Sequence, residues 1–217
     1  MKHILTLFLL LSTTFIQTGL AGGIGIARLK YGGGGDWYND PEAETNLLKE
    51  YSTRTGQEAD SAKHSLSAND DELYSQPFLF LIGHGEIRFT EREVVRLRKF
   101  LEAGGFLYAD DDYGMDQAFR RELRRILPGS ELQELPYSHG IYHCFYDFPS
   151  GPPKIHEHQE GNPVGYGVYL RGRLAVYYTF NTNISDGWVA TYNDPPGVRE
   201  QAIRMGVNIL WQALTNP

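Results

Sequence analysis

The chain has 217 residues, with 27 acidic against 20 basic side chains and a formal net charge of −7. That length supports one domain with its own core. The acidic balance argues against nucleic acid as a partner, because phosphate backbones attract the opposite charge. A single cysteine, Cys144, excludes an internal disulfide framework, so stability must come from packing.

Residues 1–21 read as a secretory signal peptide. Lys2 and His3 open it, Ile4 to Ile16 is mainly apolar, and Gly19-Leu20-Ala21 offers small residues for cleavage after Ala21. The apolar run is short for a membrane span and is interrupted by Ser12, Thr13, Thr14 and Gln17. The expectation is a periplasmic or secreted bacterial protein with one domain over residues 22–217 and no membrane span after cleavage.

Residues 25–31 (GIARLKY) form the first expected strand, followed by Gly32-Gly33-Gly34-Gly35-Asp36-Trp37. This glycine loop lacks the spacing of a phosphate loop. It is either a plain turn or a ligand-facing loop, and Asp36 and Trp37 beside the glycines favour a pocket wall. Asp40-Pro41 is expected to start a helix, with Asp as N-cap and Pro at the first helical position. Ala43, Leu47, Leu48 and Tyr51 share one face, and Gly56 stops the helix.

A short strand is expected near residues 62–66, and Asp70-Asp71-Glu72 reads as a turn. Phe78-Leu79-Phe80-Leu81-Ile82 is a continuous apolar run, the signature of a strand buried on both faces. It ends in Gly83-His84-Gly85, which makes His84 a candidate site residue. Thr90-Glu91-Arg92-Glu93 is a capping box that starts a helix with Val94, Leu97 and Leu101 inward. Gly104 and Gly105 end it. Phe106 to Ala109 is the next buried strand, and it runs into Asp110, Asp111 and Asp112. In parallel α/β sheets ligands bind at the carboxyl ends of strands. Adjacent residues on a strand alternate faces, so at most two of these three acids share a pocket, and one is expected to cap the following helix. That helix has Phe119, Leu123 and Ile126 inward; Arg120, Arg121, Arg124 and Arg125 form a solvated face.

The second half is rich in aromatics and histidine from Pro136 to Pro153, with His139 and His143 as further candidates. Residues 149–163 read as a Pro-rich surface loop. Residues 166–170 and 173–179 form a hairpin around Arg171-Gly172. A polar loop with Asp186 and Trp188 follows, and a last helix begins near Asp194-Pro195. The order predicts an α/β three-layer sandwich: a mainly parallel sheet, helices on both faces, and a C-terminal β-hairpin.

The stretches 28–38, Gly83-His84-Gly85, 104–111, Phe119 to Leu123 and His139 to His143 closely resemble a bacterial family of uncharacterised domains. It is domain-of-unknown-function family 4159, grouped by fold with class I glutamine amidotransferase-like proteins. The resemblance implies a flavodoxin-like sandwich and no established activity. Glutaminases of that fold keep a Cys nucleophile in the sharp turn after a central strand. Here the comparable turn holds Asp110 to Asp112 and no Cys or Ser, so amidotransferase chemistry is not expected. Cys144, in another segment, reads as a small buried residue.

The residues favour a non-catalytic ligand-binding or envelope-assembly module, with a small molecule, a glycan or an envelope protein as ligand and no cofactor named. The expected ligand-binding set is Gly33, Gly34, Asp36, Trp37, His84, Gly85, Asp110, Asp111, Asp112, His139, His143 and Asp186. Trp37, Tyr38, Tyr113, Tyr146 and Trp188 would supply an aromatic wall. The alternative is a carboxylate- and His-dependent hydrolase, metal-assisted if at all, using His84, Asp111, Asp112 and His143 in the same cleft. No spacing matches a strong metal signature, and no metal ligand is assigned.

Overall fold

The computed structural model describes residues 23–215; the expected signal segment at 1–21 lies outside the described residues. The chain forms β1 (Ala27–Lys30), α1 (Ala43–Thr55), β2 (His64–Ser67), β3 (Phe78–His84), α2 (Glu91–Glu102) and β4 (Phe106–Tyr113). Then come α3 (Asp116–Ile126), β5 (Gln133–Glu134), β6 (Val164–Leu170), β7 (Arg173–Phe180) and α4 (Pro196–Thr215). The strands make one seven-stranded sheet in the order β2-β1-β3-β4-β7-β6-β5. The first five in that order run parallel, and β6 and β5 are added antiparallel at the far edge.

Alternation along the strands builds two cores. Phe78, Phe80, Phe106, Tyr108 and Tyr177 face α1 and α4, whereas Leu79, Leu81, Leu107, Val176 and Tyr178 face α2 and α3. The sheet is therefore the middle of three layers, as its buried apolar strands demand. The hairpin turns at Arg171 and Gly172, both at positive φ (52° and 86°), the backbone of a tight primed turn. The Thr90–Glu93 capping box forms at the start of α2. Among the described residues, no helix is long and apolar enough to cross a membrane.

One expected cap is corrected. Helix α1 starts at Ala43, two residues later than Pro41 would place it. Asp40 stands outside the helix with φ 46°, and its side chain is released for another use. The backbone there is held by Arg28 of β1, which pairs with Glu44 and donates to the carbonyl oxygens of Asn39 and Asp40, the latter at 2.9 Å.

Candidate functional site

After β1 the chain moves outward to β2 and then returns to β3 on the other side of β1. Helix α1 packs on one face and α2 on the other, and the loops leaving β1 and β3 are joined by backbone bonds between Gly32 and Arg88 and between Gly35 and Glu86, so the polar side chains gather at the carboxyl ends of the strands. Asp36, Asn39 and Asp40 come from the loop after β1. His84 ends β3, and Asp110 to Asp112 end β4. Asn183 and Asp186 come from the loop after β7.

The alternation of β4 sorts its three acids. Asp110 is fully buried and surrounded by donors: Thr179 Oγ1 at 2.5 Å, Ser185 N at 2.7 Å and Ser185 Oγ at 2.6 Å. Burial raises its carboxyl above the ordinary range despite these bonds. Its oxygens bracket the β7 loop onto β4. Asp111 points to the α2/α3 face. It accepts from Met115 N at 3.0 Å at the start of α3 and from Tyr178 Oη at 3.2 Å. Burial pushes its carboxyl up to about 6.

Asp112 turns back to the α1/α4 face and sits at the centre of a polar group. It accepts from Asn183 Nδ2 at 2.8 Å and from Asn39 Nδ2, and His84 Nδ1 lies 3.3 Å away. His84 is held from the other side by Asp36, which accepts from the His84 backbone N–H at 2.6 Å and lies 3.0 Å from Nδ1. Burial works against Asp36, but these His84 contacts keep its carboxyl below the ordinary value. Gly83 is required here: a Cβ would lie 2.3 Å from Tyr31 Oη and 2.9 Å from Asp36 Oδ1.

Beneath this layer, carboxylate oxygens of Asp40, Asp112 and Asp186 lie within 4.8 Å of one another. Burial, and then the charges of Asp112, Asp40 and Asp110, hold the Asp186 carboxyl well above the carboxylate range. Tyr192 Oη donates to Asp40 at 3.1 Å. His156 lies between two acids, with Nδ1 2.7 Å from Asp186 and Nε2 2.9 Å from Asp194. Asp40, Asn181, Asn183 and Asn193 all take positive φ in these loops. Asn and Asp are the non-glycine residues that take this conformation most readily, so it turns the chain here at little cost.

Other expected site residues lie elsewhere. The four-glycine loop packs on residues 86–88, through Gly32 and Gly35 backbone bonds to Arg88 and Glu86, so Gly33 and Gly34 line a turn. Trp37 stacks near Lys30 and lines a separate cavity of about 150 Å³ beside β2. His139 bonds Tyr169 Oη at 2.6 Å, and Tyr169 pairs with Leu174 at the amino end of β7. That is five residues, roughly 17 Å, from Thr179 beside Asp110, at the opposite end of the strands. His143 is engaged locally by Asp147 and by Tyr137 O at 2.8 Å. Neither histidine joins the Asp112 group. The expected aromatic wall is also dispersed: Trp188 is core, packed on Phe80 and Tyr108, and Tyr146 lies beside Arg54 and Arg204. Asn39, Asp40, His156, Asn183, Tyr192 and Asp194 are the contributors missed from sequence. Asn181 and Asn183, directly after a buried strand, were the one legible signal.

A polar cleft of about 590 Å³ opens beside the group, between Gly85-Glu86 and the start of α3. Asp111, Asp116, Gln117 and Arg121 line it, with Gln159 and Phe180 opposite. Gly85 thus borders a cavity, as does Asp111. Cys144 is half-buried, and burial pushes its thiol up to about 11. Its Sγ faces Asn208 O at 3.3 Å.

These features define an α/β sandwich with an acidic strand-end site. The family described as Domain of unknown function (DUF4159) matches residues 25–214, and the chain belongs to that family. No curated protein matches the sequence.

Proposed function

We propose that the chain is an exported ligand-binding module on a glutamine amidotransferase-like scaffold, without amidotransferase chemistry. The observation that carries this reading is the polar cleft over Asp111, open at the carboxyl ends of β3 and β4. The turn after β4 holds neither Cys nor Ser, and Cys144 is a poor nucleophile because its thiol is pushed up to about 11. Three acids, two amides, one guanidinium and a single aromatic ring suit a small polyhydroxylated or amino-substituted ligand, such as a saccharide or a cell-wall fragment.

Ligand-observed NMR against a panel of glycans and peptidoglycan fragments tests this reading. Saturation transfer is expected for at least one saccharide-sized ligand, weakened at least about tenfold in Asp116→Ala/Gln117→Ala. A panel with no binder of any class sinks the proposal. Release of ammonia from glutamine would overturn its non-catalytic part. Export is tested separately by sequencing the amino terminus of the mature protein, where a start at residue 22 is expected.

A further inference from the structure

We propose that Asp40, Asp112 and Asp186 bind one divalent, oxygen-preferring cation. The three carboxylates come from separate elements, are 7%, 3% and 2% exposed, and bring one oxygen each to within 4.8 Å of the others. Carboxylates buried side by side are kept there by sharing a proton or by coordinating a metal. Three groups that could carry positive charge lie nearby, and His84 Nδ1 is shared between Asp36 at 3.0 Å and Asp112 at 3.3 Å. Arg28 is spent on Glu44 and on backbone carbonyls of the β1–α1 loop. His156 meets the group from outside, between Asp186 and Asp194.

Two further atoms point to a missing partner. Asp186 Oδ1 is buried without any hydrogen-bond partner. So is Oδ1 of Asn181, a side chain 7% exposed that borders a small cavity together with Asp112 and Asn183. A buried acceptor left without a donor is costly and calls for an explanation. A cation supplies one for the carboxylate.

The ligand chemistry narrows the ion. All three donors are carboxylate oxygens, which suit Mg²⁺, Mn²⁺ or Ca²⁺. Both nitrogens of His156 already face carboxylates, so the alternative grouping of His156, His158 and Asp186 is less able to hold zinc. The outer contacts are those expected around a metal ligand: Asn39 and Asn183 orient Asp112, Tyr192 orients Asp40, and His156 orients Asp186. Asp112 and Asp111 point to opposite faces of β4, though both border the small cavity at Asn181, and the proposal does not rest on ligand binding in the cleft over Asp111.

The test uses the full chain stripped with chelator and titrated with Mn²⁺ alone, with free Mn²⁺ followed by electron paramagnetic resonance. Calorimetry with Ca²⁺ and Mg²⁺ runs in parallel. One Mn²⁺ per chain is expected. Asp186→Asn and Asp40→Asn should each weaken it at least about tenfold, and Glu91→Gln on α2 should leave it unchanged. If Asp186→Asn does not give a native circular dichroism spectrum, Asp40→Asn and Tyr192→Phe carry the test. Absence of a stoichiometric ion at millimolar concentrations overturns the proposal. Binding of equal strength in a folded Asp186→Asn or Asp40→Asn chain overturns it too.

Discussion

Asp110, Asp111 and Asp112 are consecutive, yet each meets a different chemical surrounding because a strand sends successive side chains to opposite faces. Asp110 is saturated by hydroxyl and amide donors, Asp112 joins the acids of two other loops, and Asp111 floors the cleft with few donors. Asp111 therefore carries a testable pH signature. Its carboxyl is raised from 3.8 to about 6, so the folded chain holds the proton more tightly than the unfolded one. The associated stability is fully present below pH ~4 and is lost as pH rises through about 6. Two units correspond to about 3 kcal/mol. Urea unfolding of Asp111→Asn, compared with the parent, should show the variant gaining about 2–3 kcal/mol relative to the parent between pH 4 and pH 7.5. A difference that stays flat across that range would show that the Asp111 carboxyl is not held in this state.

At the scale of elements, the loop between β1 and α1 decides where Asp36, Asn39 and Asp40 stand, and Arg28 decides where the loop stands. Its guanidinium is buried against Glu44, lies over the Phe80 ring and ties down three loop carbonyls, those of Trp37, Asn39 and Asp40. Removing one member of a buried pair leaves the other charge uncompensated, at a cost of about 3–5 kcal/mol. Arg28→Met should lose stability on that scale by urea unfolding, and Arg28→Met/Glu44→Leu should recover more than half of it. A single variant as stable as the parent would mean that the loop is held without the clamp. This clamp also marks the limit of sequence reading. Six of the seven strands, the capping box of α2 and the hairpin at Arg171-Gly172 were legible because period, cap chemistry and turn chemistry are local; the two-residue β5 is too short to show a period. Asp40-Pro41 carried an equally local helix-start signal, yet tertiary contacts from Arg28 override it. His156 and Asp194 lie 30 and 8 residues in sequence from Asp186. Nothing in either local pattern announces that they meet.

At the scale of the whole molecule, two cores share one sheet, and this bears on whether the chain unfolds as a unit. Cys144 reports on the α1/α4 layer. It sits between the segment before β6 and α4, with Sγ directed at Asn208 O and Ile141 O. With the thiol at about 11, about a thousandth of it is ionised at pH 8, against about a quarter of a free thiol. A disulfide reagent should therefore react with the native chain at least about a hundredfold more slowly than with the urea-unfolded chain. The far-ultraviolet circular dichroism reports all four helices, α2 and α3 included, whereas the thiol reports the α1/α4 layer alone. If the sheet couples the layers, Cys144 exposure and loss of helix signal share one urea midpoint. Separate midpoints would mean that the α1/α4 layer, with the loops that carry Asp40 and Asp186, opens by itself. Cation binding at those acids would then raise the thiol midpoint together with the α1/α4 part of the helix transition and leave the α2/α3 part unchanged.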